Sequence, residues 1–137
     1  MNQHTYLRAY MAGIVVPTIF LLIAATAFTL ARYVYNVPIP IERVIVFPMA
    51  VVPNLWGLWN ILFIASHQRT HLSVGVHGAL LPLILGPLLI LMTLLLNFTI
   101  PGFATHIFPV VAPVALIAYY LLWKYFVGSL NQIIGIA

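Results

Sequence analysis

The chain has 137 residues, of which 64% are hydrophobic and 4% are charged, and its formal net charge is +4. Soluble domains carry about 25% charged residues, so this chain has more apolar surface than a water-soluble fold of its size can bury. It has no cysteine, which excludes disulfides and thiolate metal sites, and its five basic residues are scattered, which argues against nucleic-acid binding. The composition predicts an all-α integral membrane protein.

Four apolar stretches are long enough to cross a bilayer, which takes about 20 helical residues. They are residues 10–31, 44–65, 74–96 and 107–127. The first lacks a small-residue cleavage site, so we expect it to stay in the mature protein. The connectors 32–43, 66–73 and 97–106 are short, which predicts one transmembrane domain, residues 1–137, folded as a four-helix bundle. The tail after residue 127 is apolar, and it either extends the fourth helix or lies at the membrane interface.

Basic residues give a weak indication of orientation. With four spans, both termini and the 66–73 connector lie on one side of the membrane, together with Arg8, Arg69 and Lys124. The other side holds Arg32 and Arg43. Cytoplasmic connectors carry the excess of Lys and Arg, so we predict that both termini are cytoplasmic.

The second stretch contains FPMAVVPNLWGLWNILF, residues 47–63, which has more polar and aromatic character than a lipid-facing helix needs. An amide without hydrogen-bond partners is costly in lipid. Helical spacing places Trp56, Trp59 and Asn60 on one side of the helix, with Gly57 allowing a neighbour to approach. We therefore predict a site for a small amphiphile lined by Asn54, Trp56, Trp59 and Asn60. The alternative is that the two amides make interhelical hydrogen bonds and that Trp59 lies toward the headgroups.

Prolines interrupt all four predicted helices. Proline removes a backbone donor and obstructs the carbonyl four residues earlier, which kinks a helix. The prolines expected to act in this way are Pro53, Pro82, Pro87 and Pro113. One interpretation is that these breaks line a functional cavity, with the aromatic site facing the breaks near Pro87 and Pro113. The alternative is that they only shape helix packing.

The chain partly repeats itself at a shift of 61 positions. NVPIPIERVIVFP, residues 36–48, lies over NFTIPGFATHIFP, residues 97–109, and matches at the Asn, Ile-Pro and Phe-Pro positions. The match suggests a duplicated two-helix hairpin. The alternative explanation is that the biased composition produces such matches by chance and that the same loop geometry arose twice.

Histidines cluster near the second connector. His67 and His71 are four residues apart, a spacing that places two imidazoles on one helical face, and His77 follows closely. These three residues could hold zinc. The alternative is that they are ordinary interfacial residues, because no carboxylate is near them in the sequence to orient them. We expect no bound cofactor.

Glu42 is the only acidic residue, and it lies at the predicted start of the second helix beside Arg43. There it would cap the helix or form an ion pair with the arginine. Its shallow position argues against proton-coupled transport. A chain with one carboxylate has no pair for acid–base catalysis, so we expect no enzymatic activity.

Two classes of function follow from these residues. The first is an uncoupled transporter, channel or small-molecule-binding protein that uses the aromatic and amide site. The second is a non-catalytic accessory subunit in which the same residues hold helices together, and a histidine-based metal or redox protein is a weaker third. The expected partners are the lipid bilayer and either further copies of the chain or a larger membrane complex.

Overall fold

The computed structural model describes residues 3–38, 50–95 and 108–136. All regular secondary structure in these residues is helical, which confirms the predicted fold class at that level. The helices are α1 (Gln3–Tyr33), α2 (Val52–Thr70), α3 (Val74–Ala79), α4 (Leu81–Leu95), α5 (Phe108–Leu122) and α6 (Gly128–Ile133). A five-residue π-helical segment, Trp123–Val127, joins α5 to α6.

Three helical stretches among the described residues are long and apolar enough to cross a membrane, namely His4–Tyr33, Val74–Leu91 and Phe108–Ile133. They match the first, third and fourth predicted spans and are compatible with a multi-pass integral membrane protein. The second predicted span falls partly on residues 44–49, outside the described residues. Its described part, α2, is not among the three, because its amides and its polar last turn lower its mean hydropathy.

The connector between α2 and α3 is shorter than predicted. The helix α2 continues to Thr70, so only residues 71–73 are left to join it to α3. His71 has a left-handed φ of 51°, which reverses the chain there. Ser73 then caps α3, since its Oγ accepts a hydrogen bond from the Val76 backbone N–H at 3.4 Å.

The third predicted span is interrupted after one and a half turns. α3 ends at Ala79, and α4 begins at Leu81. Pro82 has no N–H to donate to the carbonyl of Gly78, so regular α-helical bonding cannot pass through this point. The backbone adapts with shorter-range bonds, from Leu80 N to His77 O at 3.3 Å and from Leu83 N to Leu80 O at 3.1 Å.

The fourth predicted span extends beyond residue 127. The π-helical segment and α6 carry the helix on to Ile133, so the apolar tail extends the fourth helix, one of the two arrangements that the sequence allowed. Within this stretch Val127 is fully buried, whereas its neighbours Tyr125 and Phe126 are exposed.

Hydroxyl groups on the apolar helices are satisfied locally. Thr18, Thr26 and Thr29 of α1 each donate to the carbonyl oxygen four residues earlier, at 2.6 to 2.8 Å. Ser129 of α6 donates to the Tyr125 carbonyl at 2.5 Å in the same manner. Because lipid offers no hydrogen bonds, this back-bonding is the arrangement that threonine and serine would need on a helix that faces lipid.

The chain divides into two compact units, Met1–Leu62 and Phe63–Ala137, and the boundary falls within α2. The buried residues of the first unit include Ala9, Ala12, Val16 and Trp56. Those of the second unit include Phe63, Leu81, Trp123 and Val127. Only 11%, 28% and 11% of the most apolar windows of the three candidate spans are buried within the chain, so most of their apolar surface faces outward.

Candidate functional site

In the first unit, α1 and α2 cross at a pair of glycines. A Cβ placed at Gly13 would lie 2.6 Å from the backbone oxygen of Trp56 and 2.9 Å from the Cα of Gly57. A Cβ placed at Gly57 would collide with the ring of Tyr10. The two backbones therefore touch, which only glycine permits at this distance, as is common between membrane helices.

Asn60 lies at the centre of this contact. Its side chain is fully buried, and its Nδ2 donates to the backbone oxygen of Ala9 at 2.7 Å. Trp56, one turn earlier on the same helix, is 2% exposed. The side chains of Trp56 and Asn60 are thus buried. The hydrogen bond of Asn60 to α1 agrees with the alternative interpretation, in which the asparagines make interhelical hydrogen bonds.

Asn54 occupies a different environment, since it is exposed. Its Nδ2 donates to the Ala50 carbonyl at 2.5 Å, and its Oδ1 accepts a hydrogen bond from the Tyr10 hydroxyl. Trp59 is half-buried. The four predicted site residues are therefore split: Trp56 and Asn60 are buried, whereas Asn54 is exposed and Trp59 is half-buried.

In the second unit, α3 meets the π-helical segment through another glycine. A Cβ at Gly78 would overlap the indole of Trp123, whose side chain is fully buried. A Cβ at Gly75, one turn earlier, would lie 2.8 Å from Cε2 of Tyr120. The notch left by these glycines holds an indole and a phenol ring.

Three aromatic contacts connect the histidines of the second unit to this notch. The rings of His67 and Phe63 are 4.9 Å apart, those of Phe63 and His77 are 5.3 Å apart, and those of His77 and Trp123 are 6.0 Å apart. His77 is 7% exposed. His67, by contrast, is exposed. Its Nδ1 lies 3.2 Å from the Leu72 carbonyl oxygen.

His71 does not share a helical face with His67, because α2 ends at Thr70 and His71 adopts a left-handed conformation in the connector. Within the described ranges, no group of three or more His, Cys, Asp or Glu side chains is arranged to hold a metal ion. The structure thus brings the rings of both His67 and His77 into contact with Phe63 but does not assemble the predicted three-histidine site.

Lys124 extends from the π-helical segment near the start of α3. Its Nζ lies 5.7 Å from the ring centroid of Tyr120 and 5.3 Å from that of Tyr125. An ammonium group held over two phenol faces is stabilised by the ring quadrupoles while it stays accessible to ions. Lys124 itself is exposed.

The predicted kink prolines occupy two kinds of position. Pro53 is the second residue of α2 and follows two π-helical residues, 50 and 51, whereas Pro82 is the second residue of α4 and lies at the break between α3 and α4. Pro87 and Pro113 lie within α4 and α5. Glu42 and Arg43, the predicted cap or ion pair, lie outside the described residues, as does most of the repeated segment.

Sequence reasoning did not single out two buried residues of the second unit. Trp123 and Asn131 are both fully buried, and Val127 lies between them at four-residue spacing. That spacing is the signal that marks one helix face. An amide in an otherwise apolar tail is a second signal, since such a group is costly unless a partner faces it.

No protein-family model matches the chain, and neither a curated protein nor a solved structure resembles it significantly.

Proposed function

We propose that the chain is a small, non-catalytic, multi-pass membrane protein that serves as an accessory subunit of a larger membrane complex. The observation that carries this proposal is the buried hydrogen bond from Asn60 Nδ2 to the Ala9 carbonyl oxygen. The sequence had offered Asn60 and Trp56 as ligand contacts. Both side chains are buried and so have no free surface for a ligand, and the Asn60 hydrogen bond to α1 favours a role in helix contact.

The proposal includes the finer architecture. We place a fourth span at α2 together with the apolar residues that precede it, which gives a four-helix bundle with both termini in the cytoplasm. Kinks at Pro87 and Pro113 would shape the outer faces of α4 and α5. A duplicated hairpin would account for the repeated segments at 36–48 and 97–109.

The test is the native mass of the chain after it is extracted from its own membrane into a polymer-bounded lipid disc. We expect the chain to elute with a larger partner at a fixed molar ratio. Asn60→Leu should lower the yield of the assembly, because it removes the buried amide, whereas the exposed Arg8→Gln should not. A lone monomer or a small homo-oligomer would contradict the proposal.

A second candidate is binding or uncoupled passage of a small amphiphile, and it rests on the polar pair of Tyr10 and Asn54. Asn54 is exposed, and its Oδ1 accepts a hydrogen bond from Tyr10. Trp59 lies on the same helix and is half-buried. Flux of indole into liposomes that contain the purified chain tests this candidate. We expect Asn54→Leu to reduce the flux under this hypothesis, and equal flux with and without the protein would eliminate it.

A further inference from the structure

The end of the second unit near the α2–α3 connector is polar and carries no acidic side chain. Residues 66–73 read SHQRTHLS, and the side chains of residues 67 to 71 are all exposed. Apart from Leu72, each of these residues can donate a hydrogen bond from its side chain. The segment directly precedes the candidate span Val74–Leu91, and a bilayer crossed by that span would put the segment at the level of the lipid headgroups.

Lys124 lies beside the same connector. Gly75 is two residues from Ser73, and a Cβ placed at Gly75 would lie 3.2 Å from the Cβ of Lys124. Two residues of chain extend by about 7 Å at most, so the Lys124 side chain can reach the space over the connector. The rings of Tyr120 and Tyr125 border its ammonium group.

The second unit has no acidic side chain to pair with this cationic end. The sequence has one acidic residue, Glu42, and it belongs to the first unit, whereas the second unit contains Arg69 and Lys124. Phosphate diesters of lipid headgroups are the anions available at that depth. Basic groups next to membrane helices recognise anionic lipids, and tyrosines favour the same interfacial layer.

We propose that Lys124, Tyr120, Arg69 and the 71–73 connector form a binding site for the phosphate of an anionic phospholipid. Lys124 supplies the charge, and its two tyrosines hold it at the headgroup level. The exposed Arg69 guanidinium and the Ser73 side chain lie on the connector side. This site does not depend on the proposed subunit role, because its residues belong to the interfacial end of the second unit.

The experiment measures the lipid retained by the purified full-length protein in mild detergent, by native mass spectrometry, after it is mixed with equal amounts of phosphatidylglycerol and phosphatidylcholine. We expect preferential retention of phosphatidylglycerol. One basic residue near a membrane surface contributes on the order of a fivefold change in affinity for anionic lipid, so Lys124→Gln should reduce retention by about fivefold. Lys124→Arg should preserve it.

Arg32→Gln is the matched control. Arg32 also places its cation 5.7 Å from a tyrosine ring centroid, that of Tyr33, but it belongs to the first unit. Its substitution removes the same charge and should leave retention unchanged. Equal loss in both variants would show a net-charge effect and overturn the site.

A further arm distinguishes the lipid from a free anion. Inorganic phosphate in excess should not displace phosphatidylglycerol, because the acyl chains contribute to binding. Displacement by phosphate alone would overturn the lipid assignment.

A second variant covers the case in which Lys124→Gln lowers the thermal stability of the protein. Arg69→Gln removes a charge from an exposed residue at the end of α2, and its lipid retention should also fall. Unchanged retention in that variant would contradict the proposal.

Discussion

The two units each bring helices together at a glycine beside a buried tryptophan, but the glycines face different neighbours. In the first unit Gly13 faces backbone, namely the Trp56 oxygen and the Gly57 Cα. In the second unit Gly78 faces the Trp123 indole. Two backbones in contact allow a side-chain amide to reach across to a carbonyl, as Asn60 does. The Trp123 ring in the second unit instead contacts the His77 ring, which in turn contacts the Phe63 ring.

The two contacts accommodate buried polar groups in different ways. The first unit buries an amide by giving it a hydrogen-bond acceptor on the facing helix. The second unit buries an imidazole in contact with two aromatic rings. The four tests below ask whether the two contacts depend on backbone proximity, on ring packing or on hydrogen bonding.

The largest effect is expected from Gly78→Ala. The new Cβ would overlap the root of the Trp123 side chain, which is fully buried and cannot turn away, so we expect a loss of about 3 kcal/mol in the free energy of unfolding. Denaturation in mixed detergent micelles provides the measurement. Gly86→Ala is the control, because its Cβ would lie 3.4 Å from the Phe108 ring, an ordinary contact. Equal losses in the two variants would mean that the indole is not seated in the notch.

Gly13→Ala comes next, with an expected loss of about 2 kcal/mol, because the facing atoms are backbone and the helices must separate. Gly57→Ala is the matched variant on the other helix. Its Cβ meets the Tyr10 ring, a side chain that can rotate, so its loss should be smaller. The same denaturation series ranks the two, and the reverse order would contradict a backbone-to-backbone crossing.

Asn60→Leu tests the buried hydrogen bond, because leucine has the same branching and the same number of heavy atoms as asparagine but cannot donate. Hydrogen bonds between membrane helices average about 0.6 kcal/mol and reach about 1.7, so we expect a loss of about 1 kcal/mol for this buried example. Asn60→Ala adds a cavity, and the difference between the variants isolates the packing contribution. A stability equal to that of the unmodified chain in Asn60→Leu would exclude the bond as a source of the α1–α2 contact.

The smallest effect concerns the exposed pair of Tyr10 and Asn54. A double-mutant cycle with Tyr10→Phe and Asn54→Leu should give a coupling energy of about 0.6 kcal/mol, the average for interhelical hydrogen bonds. Coupling near zero in the denaturation assay would mean that the two side chains act independently. Coupling larger than the loss from Asn60→Leu would reverse the expected order of the exposed and buried contacts.

Most of the fold class could be predicted from the sequence, whereas the site could be predicted only in part. Apolar runs of bilayer length identify α1, the α3–α4 stretch and the helix from α5 to α6 directly. The pattern of asparagines and tryptophans correctly marked α2 as unusual. It could not separate a ligand site from a helix contact, because both place amides and aromatic rings on one helix face. The left-handed His71 was also missed, since its conformation depends on where the chain must turn toward α3.

The helical and apolar character of this protein follows from its sequence, because hydropathy and the need of each backbone group for a hydrogen bond act locally along the chain. Which polar residues are buried depends on how the helices pack. Asn60 and Asn54 are both asparagines on α2, yet one is buried against Ala9 and the other is exposed beside Tyr10. The cause is that a side chain becomes buried where a glycine lets another helix approach closely. Gly13 and Gly78 make these close approaches only when the helices pack.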